Sequence, residues 1–298
     1  MTTLATPPRP TPAPGAGPDR ARAPRGRSSL RLGRRGAVVL AVVSTIGLLA
    51  FVWPFVVAAE SGLAHSADGP WLFVAVVPLL LLVIAAEVAD GGIDAKAVAM
   101  LGVLAAVGAG LRVLGAGMAP LEPLFFLLVV AGRAFGPAFG FVFGSLTLMA
   151  GALITGGVGP WLPFQMLGAG WLALGAGLLP AVRPQAERWL LAAYGAVSAL
   201  LYGLLLDLWF WPFLATAGGG TQLAYEAGAP LSENLAHFLV FHLLTGLGWD
   251  IPRAILTAVL CLLAAPAVLT GLRRAARRAA FTAPVAFVPP RPAAADEA

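Results

Sequence analysis

Long stretches of apolar residues with few or no charges recur along most of this chain. Many windows of about 20 residues have this character, which is the length an α-helix needs to cross about 30 Å of hydrocarbon. Charged residues make up 11% of the chain, well below the share in soluble domains. Backbone groups inside a bilayer must be satisfied within helices or closed barrels, and Leu/Ala/Val runs favour helices. The sequence therefore predicts an all-α polytopic membrane protein.

The apolar runs predict eight membrane spans. They cover residues 36–58, 71–89, 95–114, 121–133, 137–155, 162–181, 187–214 and 249–272. Residues 1–35 and 273–298, outside the first and last predicted spans, hold 13 of the 19 Lys and Arg residues, and basic residues concentrate on the cytoplasmic side of membrane proteins. Both termini are therefore predicted to be cytoplasmic, which requires an even number of spans. Residues 233–247 are predicted to form a short helix at the outer surface, or dipping into it.

The tails are predicted to be disordered, over residues 1–35 and 276–298, because they are rich in Pro, Ala and Arg. The net charge of +5 resides mainly there, so it indicates orientation in a membrane and not nucleic-acid binding. The single Cys261 excludes a disulfide framework and a cysteine-based metal site.

Catalytic motifs are absent from the sequence. His237 and His242 are five positions apart, which differs from the four-residue spacing of a helical metal pair. No P-loop occurs, so the chain is not predicted to power transport by itself. No catalytic residue, metal ligand or cofactor is predicted.

Polar residues collect near the predicted outer ends of the helices, and tryptophans accompany them. Such groups are costly at membrane depth and tend to face a cavity or a partner. Interfacial ion pairs, snorkelling side chains and an aromatic belt are the alternative interpretations. The residues predicted to bind a ligand are Arg112, Glu122, Trp161, Gln165, Asp207, Trp249, Asp250 and Arg253.

Small residues follow one face of the third predicted helix. Their spacing places Ala95, Ala99, Gly102, Ala106 and Ala109 in a single stripe. Small residues allow another helix to approach closely in lipid. The stripe predicts either a docking face for a separate subunit or close packing inside the protein.

Three segments resemble the core of an S-component, the substrate-binding membrane subunit of energy-coupling factor (ECF) vitamin transporters. They are LRVLG at residues 111–115, GRAFGPAFG at 132–140 and GPWLPFQM at 159–166. The resemblance covers roughly residues 95–275 and implies a six-helix binding core. Residues 36–94 would then form two extra transmembrane helices that precede it.

The resemblance also implies a function and partners. A vitamin-like substrate would bind under the outer loops 115–121, 156–162 and 215–248, and the long last loop with its tryptophans would suit a corrinoid. An Ala-x-x-x-Ala pattern, either Ala95–Ala99 or Ala105–Ala109, would contact a transmembrane coupling subunit. Two cytosolic ATPases would supply the energy, and the protein would lie in the plasma membrane.

Two other functions fit the same composition. A membrane scaffold or assembly protein would use its polar groups only at the membrane interface. A membrane enzyme acting on a lipid would require a reactive pair of side chains, and the sequence offers no obvious candidate pair.

Overall fold

The computed structural model describes residues 34–56, 95–115, 121–214 and 223–279, and this part of the chain contains no β-strand. The second predicted span, residues 71–89, lies outside the described residues. Nine α-helices are described: α1 Arg34–Val52, α2 Ala95–Gly115, α3 Leu124–Phe135, α4 Pro137–Thr155, α5 Leu162–Leu178, α6 Pro184–Leu214, α7 Leu231–Phe241, α8 Leu247–Leu263 and α9 Ala265–Ala279. A 3₁₀ turn, Trp53–Phe55, follows α1, and a π-helical turn, His242–Gly246, joins α7 to α8.

Five of the described helical stretches are long and apolar enough to cross a membrane. They are Gly36–Phe55, Ala97–Gly115, Pro137–Thr155, Pro184–Phe213 and Leu231–Leu263. The prediction of an all-α multi-pass membrane protein is therefore confirmed. Two shorter apolar helices, α3 and α5, lie among them.

The short helix α3 lies inside the bundle. With 12 residues it spans about 18 Å, which is less than the hydrocarbon thickness of about 30 Å. Ten of its residues are buried, so it presents little surface to lipid and does not have to match the bilayer. Gly136, with a φ of 96°, ends α3, and Pro137 begins α4 at once. A positive φ suits glycine, which explains the Gly-Pro pair at this sharp connection.

Helix α5 packs against α3 and α4 with its backbone almost in contact with theirs. Gly132 of α3 and Gly140 of α4 both face the carbonyl group of Ala173, and Gly144 faces that of Ala169. A Cβ at any of the three glycines would overlap these backbone atoms. Glycine at these positions therefore allows the helices to pack this closely.

Substituting Gly132 tests this packing. Gly132→Ala is expected to lower the Tm of the detergent-purified protein by roughly 3–10 °C, because overpacking costs about 1–3 kcal/mol and the overlapping atoms belong to backbone. Gly102→Ala is the matched control, since a Cβ on Gly102 would meet no atom within 4 Å. Equal Tm values for the two variants, measured by intrinsic fluorescence, would contradict the close-packing account.

The first helix packs on the outside of this bundle. Trp171 of α5 donates a hydrogen bond to the Ser44 hydroxyl at 2.9 Å, and the Phe51 and Phe164 rings meet edge to face at 4.8 Å. Helix α1 also contacts α6. The helix that precedes the predicted core is thus attached to it by specific contacts.

The last predicted span differs from the structure at both ends. We predicted one helix over residues 249–272, with a separate surface helix before it. Instead α7, the π-turn and α8 run continuously over Leu231–Leu263. Thirty-three residues correspond to about 50 Å, so this rod exceeds the hydrocarbon core. The rod ends at Leu263, and the basic helix α9 follows over Ala265–Ala279, which reaches four residues into the predicted tail.

A cluster of charges joins three helices at the end of the bundle where α3 terminates, here called the Arg133 end. Arg133 donates to Glu187 at 2.8 Å and to the Leu179 carbonyl at 2.6 Å. Arg273 of α9 also pairs with Glu187, at 2.7 Å. The buried Glu187 carboxylate thus has two arginine partners, which hold α3, α6 and α9 together.

Candidate functional site

A cavity of about 330 Å³, lined by both polar and apolar side chains, lies at the end of the bundle opposite the Arg133 end. The C-terminal ends of α2, α4 and α6 meet the N-terminal ends of α3, α5 and α8 there, because these helices alternate in direction. Residues of all six helices, together with the segment before α3 and the π-turn, form its wall. The lining residues are Arg112, Gly115, Glu122, Leu124, Phe125, Leu148, Thr155, Gln165, Tyr202, Gly203, Leu206, Asp207, Phe210, Gly246, Trp249, Asp250 and Arg253.

Seven of the eight residues predicted to bind a ligand line this cavity, although they are spread over residues 112–253. Trp161 is the exception, because its indole donates to the Gly157 carbonyl at 3.2 Å. Its ring stacks on the lining residue Phe210, with centroids 6.4 Å apart. The Phe210 ring therefore lies between Trp161 and the cavity, so Trp161 supports the wall and does not itself line it.

Arg253 is the centre of a buried ionic network on one wall. Its guanidinium donates to Glu122 at 2.9 Å and to Asp250 at 2.6 Å. It also lies over the rings of Phe125 and Tyr202, at 5.1 and 5.5 Å from their centroids. Only 9% of its side chain is exposed, so the two carboxylates neutralise a charge that would be costly alone.

The acidic groups on this wall lie directly against glycine backbone. The Asp250 carboxylate occupies the space that a side chain at Gly203 would fill, and the Asp207 carboxylate does the same at Gly246. Asp207 is bonded to Nδ1 of His242 at 2.7 Å. The π-turn of five residues begins at His242 and ends at Gly246, so it supplies both the imidazole and the glycine that accommodates Asp207.

The surroundings of Arg112 differ from those of Arg253, because Arg112 donates hydrogen bonds only to neutral groups among the described residues. It donates to the Gln165 amide oxygen at 2.8 Å and to the Leu148 carbonyl at 3.3 Å. Both partners are neutral, and no ion pair of Arg112 occurs among the described residues. Gly151 leaves room for the stem of the arginine. The guanidinium is therefore held in place by neutral partners, and no carboxylate in the described part of the chain pairs with it.

Sequence reasoning missed several members of the site. Tyr202 and Phe125 line the cavity and flank Arg253, but aromatic residues inside apolar helices give no distinctive signal. His242 was considered only in relation to His237, which lies elsewhere and contacts the Ala224 carbonyl at 3.0 Å. Gly203, one turn before Asp207, is a sequence signal that could have linked α6 to α8. The Asp250 carboxylate of α8 needs the space that this glycine leaves.

The predicted docking stripe is divided by the structure. Ala99, Gly102 and Ala106 are exposed on α2, whereas Ala109 is fully buried and Ala105 is nearly so. The side chain of Ala95 lies outside the described residues. At Ala109 the structure agrees with the alternative interpretation of the stripe, close packing inside the protein, while Ala99, Gly102 and Ala106 stay available to a partner helix. The alternative pair Ala105–Ala109 faces the protein interior.

Comparisons of the chain with models of protein families, with curated proteins and with solved structures found no match. The resemblance stated above consequently stays a prediction. What the molecule does must be inferred from the cavity and from the helices that form it.

Proposed function

We propose that this protein is the substrate-binding subunit of an ECF-type importer, which captures a small molecule at the cavity for uptake. The observation that supports this most strongly is the collection of seven polar or aromatic residues, predicted from sequence, around one cavity in a membrane protein. A cavity with a few convergent polar groups is typical of a small-molecule site. In this proposal the cavity end faces the outside, and the Arg133 end and both termini are cytoplasmic.

The cavity favours a small ligand with an anionic group. Its volume of about 330 Å³ lies at the lower end of the usual range for ligand sites, which supports a vitamin-sized molecule better than a corrinoid. Arg112 would bind a carboxylate or phosphate of the ligand, because its present partners are neutral. Tyr202, Phe210 and Trp249 would contact its apolar part.

The coupling subunit would dock on the exposed small residues of α2. Ala99, Gly102 and Ala106 leave a shallow surface, and nothing lies within 4 Å of a Cβ built on Gly102. Another helix could approach closely there. Two cytosolic ATPases would complete the importer in the plasma membrane, since this chain contains no nucleotide-binding motif.

Mass spectrometry of the detergent-purified full chain tests this proposal. We expect one organic molecule per chain, released on denaturation, and bearing a carboxylate or phosphate. The matched control is the Arg112→Ala protein purified in parallel, which should release much less. A parent protein that stays empty, and that shows no thermal shift with a panel of water-soluble vitamins, would contradict a binding subunit and favour a scaffold.

The pair of Asp207 and His242 gives the enzyme alternative its one specific observation. A carboxylate that orients an imidazole at 2.7 Å is a common element of general acid–base catalysis. An enzyme would convert its ligand, whereas a transport subunit would release it unchanged. The bound molecule and the molecule released after prolonged incubation are therefore compared by mass spectrometry. Identical molecules support the transport subunit, and a changed molecule supports the enzyme.

A further inference from the structure

Three potential metal ligands meet at the junction of α6, the π-turn and α8. Asp207, His242 and Asp250 each offer one oxygen or nitrogen atom, and these atoms all lie within 4.8 Å of one another. The three residues come from separate elements, so the tertiary fold and not local sequence brings them together. The spacing is close to what a single small cation needs for simultaneous contact with all three.

One carboxylate oxygen in this cluster has no hydrogen-bond partner among the described residues. Asp250 is 2% exposed, and its Oδ1 accepts the bond from Arg253. Its Oδ2 is fully buried and accepts no hydrogen bond from any described residue. A buried carboxylate oxygen without a donor is costly, and a bound cation is one way to stabilise it.

The charges on this wall also favour a cation. Glu122, Asp207 and Asp250 contribute three negative charges, and the only arginine that pairs with them in the described part is Arg253. With a neutral His242, which is the form that binds a metal, two of these three negative charges remain uncompensated on this wall. A divalent cation would neutralise them, and it would leave the charge of Arg112 available for an anionic ligand.

The backbone around the cluster is shaped for these side chains. π-Helical turns are rare and occur frequently at functional sites. Here the turn directs His242 onto Asp207, while Gly246 and Gly203 provide the space for the two carboxylates. Arg253 fixes the other oxygen of Asp250, as second-layer hydrogen bonds commonly do for metal ligands.

We propose that Asp207, His242 and Asp250 bind a divalent first-row transition-metal ion at the wall of the cavity. Mixed carboxylate and imidazole ligands suit Zn²⁺, Mn²⁺, Co²⁺ or Ni²⁺ better than they suit Mg²⁺ or Ca²⁺. Asp207 and Asp250 both line the cavity, so the bound ion is accessible to an anionic group of a ligand. This site goes beyond the proposed transport function and does not depend on it.

Titration calorimetry with the metals alone tests the site. The full chain, carrying a purification tag without histidine, is treated with a chelator, desalted and titrated separately with Zn²⁺, Mn²⁺, Co²⁺ and Ni²⁺. We expect one saturable site per chain for at least one of these ions. Asp250→Asn and His242→Asn should each weaken that binding at least about tenfold.

Two matched variants control for the composition of the chain. Glu233→Gln and His237→Asn remove an acid and a histidine that lie outside the cluster, and both should bind metal like the parent protein. His242→Asn serves alone if Asp250→Asn does not fold. Lack of a saturable site for all four ions, or equal affinity in the cluster and control variants, would overturn the proposal.

The result is independent of the test for the transported molecule. Metal binding by a protein that never retains an organic ligand would support this site and contradict the proposed transport function. A chelator-treated protein that retains an organic ligand but binds none of the four ions would support the transport function and contradict the metal site.

Discussion

Replacing Arg253 with methionine is expected to lower the Tm of the purified protein by roughly 10 °C. The arginine is 9% exposed and is the ion-pair partner of both Glu122 and Asp250. Removing one member of a buried ionic group costs about 3–5 kcal/mol, because the remaining charges are left without compensation. For a protein of this size, each kcal/mol corresponds to a few degrees. Methionine preserves much of the apolar stem, so the change mainly removes charge and hydrogen bonds.

A second set of variants separates the loss of charge pairing from the loss of packing. Adding Glu122→Gln and Asp250→Asn to Arg253→Met should recover much of the lost Tm, because the uncompensated negative charges are then removed. Without such recovery, the main loss would instead come from contact of the guanidinium with the Phe125 and Tyr202 rings. Arg188→Met, which changes an exposed arginine, is the control and should leave the Tm nearly unchanged.

The general architecture was predictable because long apolar runs with few charges identify membrane helices from composition alone. Helices α4 and α6 agree with the predicted spans to within about three residues. The short α3 was also predicted, since the pair Gly136-Pro137 strongly favours a break between two helices. These features depend on local residues and on the thickness of a bilayer, so tertiary structure adds little to them.

The continuous rod over α7 and α8 was not predictable in the same way. We interpreted residues 233–247 as a surface helix because their apolar residues follow one helical face and because a ninth span would have placed the basic C-terminal tail outside. His237, His242 and Asp250 also interrupt the apolar run in this region. In the structure, two of these polar groups have partners inside the protein. His242 is hydrogen-bonded to Asp207, and Asp250 accepts a hydrogen bond from Arg253. A hydropathy scale assigns each residue a separate cost and does not include such partners.

The site was predictable to the extent that helix ends determine it. Antiparallel neighbours bring alternate ends together, so polar groups near those ends converge even when they are far apart in sequence. The specific pairing was only partly predictable. The spacing of Asp250 and Arg253, three residues apart on one helix, indicates an ion pair, but nothing near Arg253 in the sequence indicates its second partner, Glu122. Only the structure shows that Arg253 is paired with two carboxylates while Arg112 contacts a neutral amide.

That difference leads to the opposite expectation for Arg112. Arg112→Ala should change the Tm by only a few degrees. Its partners Gln165 and Leu148 are neutral, so the substitution leaves no unpaired charge in the protein. Its effect should fall on binding. Loss of a charge-assisted contact with an anionic ligand group costs at least about 2 kcal/mol, which corresponds to roughly 30-fold weaker binding.

The measurement is the Kd of the molecule that mass spectrometry identifies, determined by calorimetry for the parent protein, Arg112→Ala and Arg112→Lys. Lysine keeps the charge but lacks the planar pair of donors, so its affinity should lie between the other two. Arg188→Ala is the control for a general loss of positive charge. Unchanged affinity in Arg112→Ala would remove this residue from the site, and a large loss of Tm would assign it to the structure instead. The two arginines thus make a paired test, in which one variant should lose stability and the other should lose ligand.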